Sequence, residues 1–153
     1  MLRYMLASAV LHLVWESGQL PLYAIWSTGS FGEMAFAVAH CTIGDAMIAA
    51  SALLSALALF GRPCWPKTGT RAVWLVTLLL GIAYTVYSEW LNVYVRRSWA
   101  YSELMPTVPI IGTGVAPLLQ WIALPTLVQW LAIARAPWID VEQGSRPPPL
   151  DTG

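Results

Sequence analysis

The sequence has few charged residues. Asp, Glu, Lys and Arg make up only 10% of its 153 residues, against about 25% in typical soluble domains. Eight basic residues balance eight acidic ones, so no excess positive charge favours a phosphate backbone and we expect no nucleic-acid partner. Only two cysteines occur, Cys41 in an apolar segment and Cys64 in a loop, which excludes a disulfide framework and a CxxC metal motif. Phosphate-loop, dinucleotide and nucleophile-elbow motifs are also missing, so we expect no cofactor.

Hydrophobic residues are correspondingly abundant. They make up 58% of the chain, nine residues are Trp, and the mean hydropathy is +0.61. Four segments reach the length of about 20 helical residues that a lipid bilayer requires, and lipid favours helices because the backbone must bond internally. We therefore predict an all-α, polytopic membrane protein, a bundle of four transmembrane helices. The predicted spans cover residues 4–26, 33–60, 72–95 and 115–136.

The basic residues predict an orientation. Six of the eight lie in the terminal regions or in the loop 61–71, and two, Arg96 and Arg97, lie in the loop after the third span. The excess of basic residues in cytoplasmic loops therefore places both termini in the cytoplasm. Residues 140–153 contain a run of three prolines with Gly and Ser, which is typical of a disordered tail.

Five ionisable side chains interrupt these apolar spans: His12, Glu16, His40, Asp45 and Glu89. Each such group costs roughly 2.5–3.5 kcal/mol near the centre of a bilayer on insertion scales, so it usually has a function. The predicted topology places them in the middle or outer half of their spans. We therefore expect a polar pocket that opens toward the outer side.

Helical phase supports this pocket. A spacing of i, i+4, i+7 places three side chains on one face of a helix. This spacing is found for His12, Glu16 and Gln19 in the first span and for Thr85, Glu89 and Asn92 in the third. Two helices with matching polar faces at matching depth predict that these faces border one cavity.

The residue types indicate proton-transfer chemistry. A carboxylic acid in an apolar site tends to remain protonated and can donate its proton, a histidine one turn away can relay it, and aromatic faces stabilise a developing cation. Glu16 is the predicted donor and His12 the relay. The predicted catalytic residues are His12, Glu16, Asp45 and Glu89. The predicted ligand-binding residues are Trp15, Gln19, His40, Trp90, Asn92, Gln120 and Trp121.

Other interpretations remain open at this stage. Polar side chains between membrane helices often only join the helices, at about 0.6 kcal/mol each on average. His12, Glu16, His40 and Asp45 could instead ligate a divalent ion, although no HExxH pattern is present and we predict no metal residues. The chain could also be a non-catalytic small subunit of a larger membrane complex that contacts protein, lipid or pigment.

Three short motifs resemble one known family. His12 to Glu16 (HLVWE) resembles the H-x-x-x-E of the emopamil-binding-protein (EXPERA) family of four-helix membrane proteins, which includes sterol isomerases. Ile43 to Asp45 (IGD) resembles its Gly-Asp step, and Gln120 to Pro125 (QWIALP) is similar to its Trp-x-x-x-Pro helix. The order and spacing of the helices agree over residues 6–136.

The resemblance implies a cavity between the helices that admits a sterol-like or isoprenoid molecule. It also implies that His12 and Glu16 correspond to the family's histidine and glutamate, and Asp45 to its aspartate. The family's isomerases carry a second acid two turns later, where this sequence has Ala52. Glu89 on another helix is the candidate replacement. The expected ligand is thus a membrane lipid or apolar small molecule, and the reaction on it stays open.

Overall fold

A computed structural model describes residues 2–63, 65 and 68–134 of the chain. The described chain is helical and contains no β-strand, only two isolated bridges, so the all-α prediction is confirmed. The helices are α1 (Leu2–Gln19), α2 (Ile25–Thr28), α3 (Phe31–Phe60), α4 (Thr70–Glu89) and α5 (Val115–Ala134). The predicted tail, residues 140–153, and the end of the fourth predicted span lie outside the described residues.

The four long helices pack in a ring. α1 contacts α3 and α5, and α4 contacts the same two helices. The chain runs from one end of the ring to the other in each helix. The C-terminal end of α1, the beginning of α3, the end of α4 and the beginning of α5 therefore meet at one end, which we call the polar end.

Two helical segments are long and apolar enough to cross a membrane. They are α3 and the continuous segment Thr70–Val95, in which α4 is extended by a π-helix, Trp90–Val95. By length and apolar composition, the described residues contain two candidate spans, whereas the sequence predicts four. In α1 the reason is composition, because Ser8, His12, Glu16 and Gln19 dilute its apolar residues.

The helix ends have clear local causes. α3 begins with a capping box in which the Ser30 side chain accepts from the Glu33 N–H and the Glu33 carboxylate accepts from the Ser30 N–H. α4 follows Gly69, whose φ of +76° is a left-handed conformation that glycine adopts without steric cost. These signals fix where α3 and α4 start.

Buried residues recur every fourth position along the inner faces. In α1 this series runs from Tyr4 through Ser8 and His12 to Glu16, and α4 has an equivalent series, Val73, Thr77, Gly81, Thr85 and Glu89. This spacing places each series on one continuous face of its helix. Along that face the buried side chains change from apolar at one end of the bundle to polar at the other. The apolar end holds the hydrophobic core, formed by Tyr4, Leu53, Ala56, Val73 and Val128.

A close contact between α4 and α5 lies between the two ends. A Cβ atom added to Gly81 would come within 2.0 Å of the Trp121 indole, and Trp121 itself is only 1% exposed. Glycine is therefore required here because the ring lies directly against the α4 backbone. The contact holds α4 and α5 close together between the apolar end and the polar end.

The loop from Arg96 to Gly114 is fastened to the chain that follows α1. Backbone hydrogen bonds join Ala24 N to Ala100 O at 2.9 Å and Ser102 N to Leu22 O at 2.9 Å. These bonds bring the aromatic part of the loop back over the polar end. The loop thereby supplies one wall of the site described next.

Candidate functional site

A cavity of about 980 Å³ lies at the polar end. This volume is at the upper end of the range of 300–1,000 Å³ that is common for small-molecule sites. Side chains from α1, α3, α4, α5 and the loop 96–114 line it. Its polar lining includes Glu16, Gln19, Asp45, Glu89, Asn92 and Gln120, and its aromatic lining includes Tyr23, Phe36, Tyr84, Trp99 and Trp121.

The side-chain amide of Gln120 is the centre of a buried hydrogen-bond network. Gln120 is 2% exposed. Its Nε2 lies 2.7 Å from Asp45 Oδ2, 2.9 Å from Glu16 Oε1 and 2.8 Å from His12 Nδ1. One residue of α5 thus joins two residues of α1 and one of α3. We call the group formed by His12, Glu16, Asp45 and Gln120 the acid cluster.

The acid cluster needs one proton more than the amide supplies. A primary amide nitrogen carries two hydrogens, whereas three potential acceptors surround Gln120 Nε2. The count closes if His12 carries its proton on Nδ1 and faces Asp45 Oδ2, 3.3 Å away. It also closes if the Glu16 and Asp45 carboxyls, which contact each other, share a proton. In either arrangement one member of the acid cluster carries the additional hydrogen, on the His12 ring or on a carboxyl.

Further side chains on α1 hold Glu16 in place. Gln19 Nε2 donates to Glu16 Oε1 at 2.8 Å, and the Trp15 indole N–H donates to Gln19 Oε1 at 3.1 Å. His12 is 1% exposed and packs against the Trp121 ring, with ring centroids 5.5 Å apart. His12 is not among the residues that line the cavity, so it contacts Asp45 from the side that faces away from the cavity.

Glu89 lies on another wall of the same cavity, in a separate network. The carboxylate is 6% exposed and accepts a hydrogen bond from the Tyr101 hydroxyl. That hydroxyl in turn accepts from Gly114 N at 2.9 Å. Burial raises the pKa of Tyr101 above its ordinary value, and the hydrogen bond to Glu89 and the charge on Glu89 raise it further. Tyr101 therefore stays a neutral donor to Glu89.

Three predicted residues lie at the edge of this arrangement or outside it. His40 lines the cavity but is exposed, and its ring stacks on Phe36 with centroids 5.6 Å apart. Trp15 supports Gln19 and is not a lining residue, and Trp90 is 50% exposed and packs against Tyr87. Asn92 does line the cavity, although its amide donates to Ser88 O on its own helix.

The described residues contain no group of three or more His, Cys, Asp or Glu side chains arranged to hold a metal ion. The four-ligand hypothesis requires His40 beside His12. His40 instead stacks on Phe36, whereas His12 is buried against Trp121.

Sequence reasoning did not assign Tyr23, Trp99 or Tyr101 to the site. Tyr101 bonds to Glu89, and its ring lies 5.7 Å from that of Tyr23, centroid to centroid. Trp99 and Tyr101 lie in the loop that starts at Arg96, and the aromatic content of this loop is the sequence signal that could have found them. Which acid a loop tyrosine reaches depends on how the loop folds back, and helical periodicity carries no information on that.

Comparisons with known proteins add no family to this description. No protein-family model, no curated protein and no solved structure matches the chain.

Proposed function

We propose that the chain is a multi-pass integral membrane protein whose cavity binds a sterol-like or isoprenoid ligand and isomerises or hydrates a double bond in it. The observation that carries the proposal is the buried acid cluster on the wall of a cavity that is also lined by aromatic and aliphatic side chains. A carboxylic acid beside apolar side chains can protonate an alkene.

The membrane part of the proposal extends from two apolar segments to four spans, with both termini in the cytoplasm. Exposed apolar side chains on all four long helices support it, such as Val14 on α1, Phe36 on α3, Leu79 on α4 and Trp130 on α5. Exposed apolar surface of this extent is unusual on a soluble monomer. In lipid, the same side chains face acyl chains and the buried polar groups face one another.

Glu16 is the proton donor in this proposal. Its carboxyl transfers a proton to one alkene carbon, the electron pair of the double bond forms the new C–H bond, and positive charge develops on the neighbouring carbon. The Trp121 and Tyr23 rings on the wall can face that charge. Loss of a proton from the adjacent carbon to a carboxylate completes an isomerisation, and attack by water followed by loss of its proton completes a hydration.

The other acids support this step. Asp45 contacts both Glu16 and His12, so a proton can pass to Glu16 through Asp45 after the transfer. Gln120 donates to both carboxyls and fixes their positions. Glu89, on another wall, is placed to receive the departing proton while Tyr101 stabilises its charge.

The binding test uses the full chain purified in detergent, with farnesol and cholesterol as probes. We expect at least one probe to raise the thermal unfolding temperature of the wild type, and Glu16→Gln to abolish the shift. Glu103→Gln is the matched control, because Glu103 is an exposed acid outside the cavity lining. No shift with either probe, or equal shifts in Glu16→Gln and wild type, would contradict the proposal.

The catalytic test uses farnesol in D₂O. Protonation at carbon leaves one non-exchangeable deuterium in the product, which mass spectrometry detects. We expect incorporation with the wild type and with Glu103→Gln, and none with Glu16→Gln. If a probe binds but no deuterium enters it, the chain is a binding protein and the catalytic part of the proposal is wrong.

A further inference from the structure

The cavity carries charges of opposite sign in different parts of its lining. Glu16, Asp45 and Glu89 contribute its buried acids, whereas Arg96 and Arg97 line it from the exposed segment that follows the π-helix. An amphiphile with one anionic end can pair with the arginines and also contact the apolar lining, which a uniformly apolar molecule cannot do. The acid cluster does not account for the two arginines, so they need a separate role.

Neither arginine is paired with an acid in the described part of the chain. The one ion-pair contact found there joins His12 and Asp45. Glu33 also lines the cavity, and its carboxylate accepts hydrogen bonds from the Ser30 backbone N–H at 2.8 Å and from the Ser30 hydroxyl at 2.7 Å. The two guanidinium groups thus keep their donors available for a ligand.

The backbone that carries this pair is irregular in two ways. The six residues Trp90–Val95 form a π-helix directly before Arg96, and such segments are rare and frequent at functional sites. Arg97 then has a φ of +55°, a left-handed conformation that non-glycine residues seldom adopt and that costs of order 1 kcal/mol. Arg96 and Arg97 follow the π-helix directly, and both line the cavity.

We propose that Arg96 and Arg97 bind the phosphate group of a prenyl phosphate, whose isoprenoid chain extends into the cavity toward Glu16. Guanidinium groups are suited to phosphate because their planar donors can pair with two oxygens at once. The inference rests on the proposed function, since it names the class of isoprenoid that the same cavity takes. It also assigns a role to the two basic residues that lie on the otherwise non-basic side of the predicted topology.

The test compares three probes on the full chain in an uncharged detergent: farnesyl monophosphate, farnesol and inorganic phosphate. We expect farnesyl monophosphate to bind about tenfold more tightly than farnesol, an advantage that corresponds to about 1.4 kcal/mol. In the double variant Arg96→Gln, Arg97→Asn the two isoprenoids should bind equally. Asn is chosen at position 97 because it tolerates a positive φ.

Two control variants make the result specific. Arg71→Gln removes one exposed arginine at the start of α4, outside the cavity lining, and should keep the tenfold preference. Arg96→Lys with Arg97→Lys keeps the charge but loses the planar donors, and should keep only part of it. The unfolding temperature without ligand shows whether each variant is folded, and phosphate dependence is compared only among folded variants.

The possible outcomes separate this inference from the proposed function. If farnesol binds and farnesyl monophosphate binds no better, the arginine site is wrong and the isoprenoid cavity stands. If inorganic phosphate displaces farnesyl monophosphate at equal concentration, the arginines bind free phosphate and the prenyl phosphate assignment is also wrong. If neither isoprenoid binds and cholesterol does not bind either, the proposed function itself fails.

Discussion

Gln120 on α5 donates a hydrogen bond to Asp45 on α3 across 2.7 Å, although these two helices are not neighbours in the ring. The bond therefore crosses the middle of the bundle, where Glu16 and His12 of α1 meet the same amide nitrogen. A single side chain organises three helices at the polar end. Removing this side chain should lower the stability of the protein and change the positions of the Glu16 and Asp45 carboxyls.

Gln120→Leu should lower the thermal unfolding temperature by several degrees. Leucine fills a similar volume but leaves Glu16 and Asp45 without the donor that they share, and an unpaired buried polar group costs about 1–3 kcal/mol. Circular dichroism of the purified protein in detergent measures the change. Gln129→Leu is the matched control on the same helix, because Gln129 is also buried and its Nε2 has no hydrogen-bond partner within the described residues.

For Gln129→Leu we expect an unchanged or higher unfolding temperature, since replacing a buried amide whose Nε2 has no partner with an apolar group of similar size removes a desolvation cost. Equal losses in the two variants would mean that the Gln120 network contributes nothing beyond packing.

Gly81→Ala should destabilise the bundle and displace Trp121. The added methyl group would lie 2.0 Å from the indole, so either the ring or the helix must move, and overpacking of this kind typically costs about 1–3 kcal/mol. Gly18→Ala is the control, because a Cβ there meets nothing within 4 Å and alanine is the better helix former. Unfolding temperature and Trp fluorescence report the two effects.

A further expectation for Gly81→Ala concerns the cavity. Trp121 lines it and packs against His12, so a displaced ring should also weaken farnesol binding. Gly81→Ala with unchanged fluorescence and unchanged stability would show that α4 and α5 are not in contact at this point.

The helices could be predicted from the sequence because their causes are local. Apolar length, helical spacing and chain-breaking loops identified the four segments, and the i, i+4, i+7 pattern placed Glu16 and Gln19 on the face that the structure buries. Predicted depth placed Asp45 near the middle and Gln120 in the outer half of their spans, so both were expected at the same pocket. The meeting of these residues at one amide nitrogen required the packing of the helices and could not be derived from spacing alone.

Aromatic side chains were harder to place. Trp15 and Trp90 were expected on the pocket wall because they adjoin polar residues in sequence, yet neighbours in a helix point about 100° apart. Trp90 accordingly faces outward, at 50% exposure. Tyr101 reaches Glu89 because backbone bonds fasten its loop to the chain after α1. Those bonds are long-range and have no periodic signal in the sequence.

Tyr101→Phe should loosen the loop 96–114 and lower stability. The hydroxyl donates to Glu89 and accepts from Gly114 N, so its loss leaves a buried carboxylate and a backbone N–H without this partner. Tyr87→Phe is the matched control, because Tyr87 is 54% exposed and its ring contacts Tyr84 and Trp90. Hydrogen exchange of the loop amides should rise in Tyr101→Phe and remain unchanged in Tyr87→Phe.

The same tyrosine predicts how stability depends on alkaline pH. The folded-state pKa of Tyr101 lies above its ordinary value, first because of burial and then because of Glu89, while in the unfolded chain it is about 10. Below pH 10 the contribution of Tyr101 to stability is fully present, because the hydroxyl is protonated in both states. Above pH 10 the unfolded state releases this proton and the folded state keeps it, so the free energy of unfolding falls as pH rises.

Chemical unfolding between pH 8 and about pH 11 tests this sign. The wild type and Tyr87→Phe should lose stability across that interval, and Tyr101→Phe, which has no proton to lose at this position, should lose less. Titration by ultraviolet absorbance should also show fewer tyrosines ionising near pH 10 in the folded wild type than in the unfolded chain, and this difference should be smaller by one tyrosine in Tyr101→Phe. A wild type and a Tyr101→Phe variant with parallel pH profiles would show that Tyr101 is not held protonated by Glu89 and the surrounding loop.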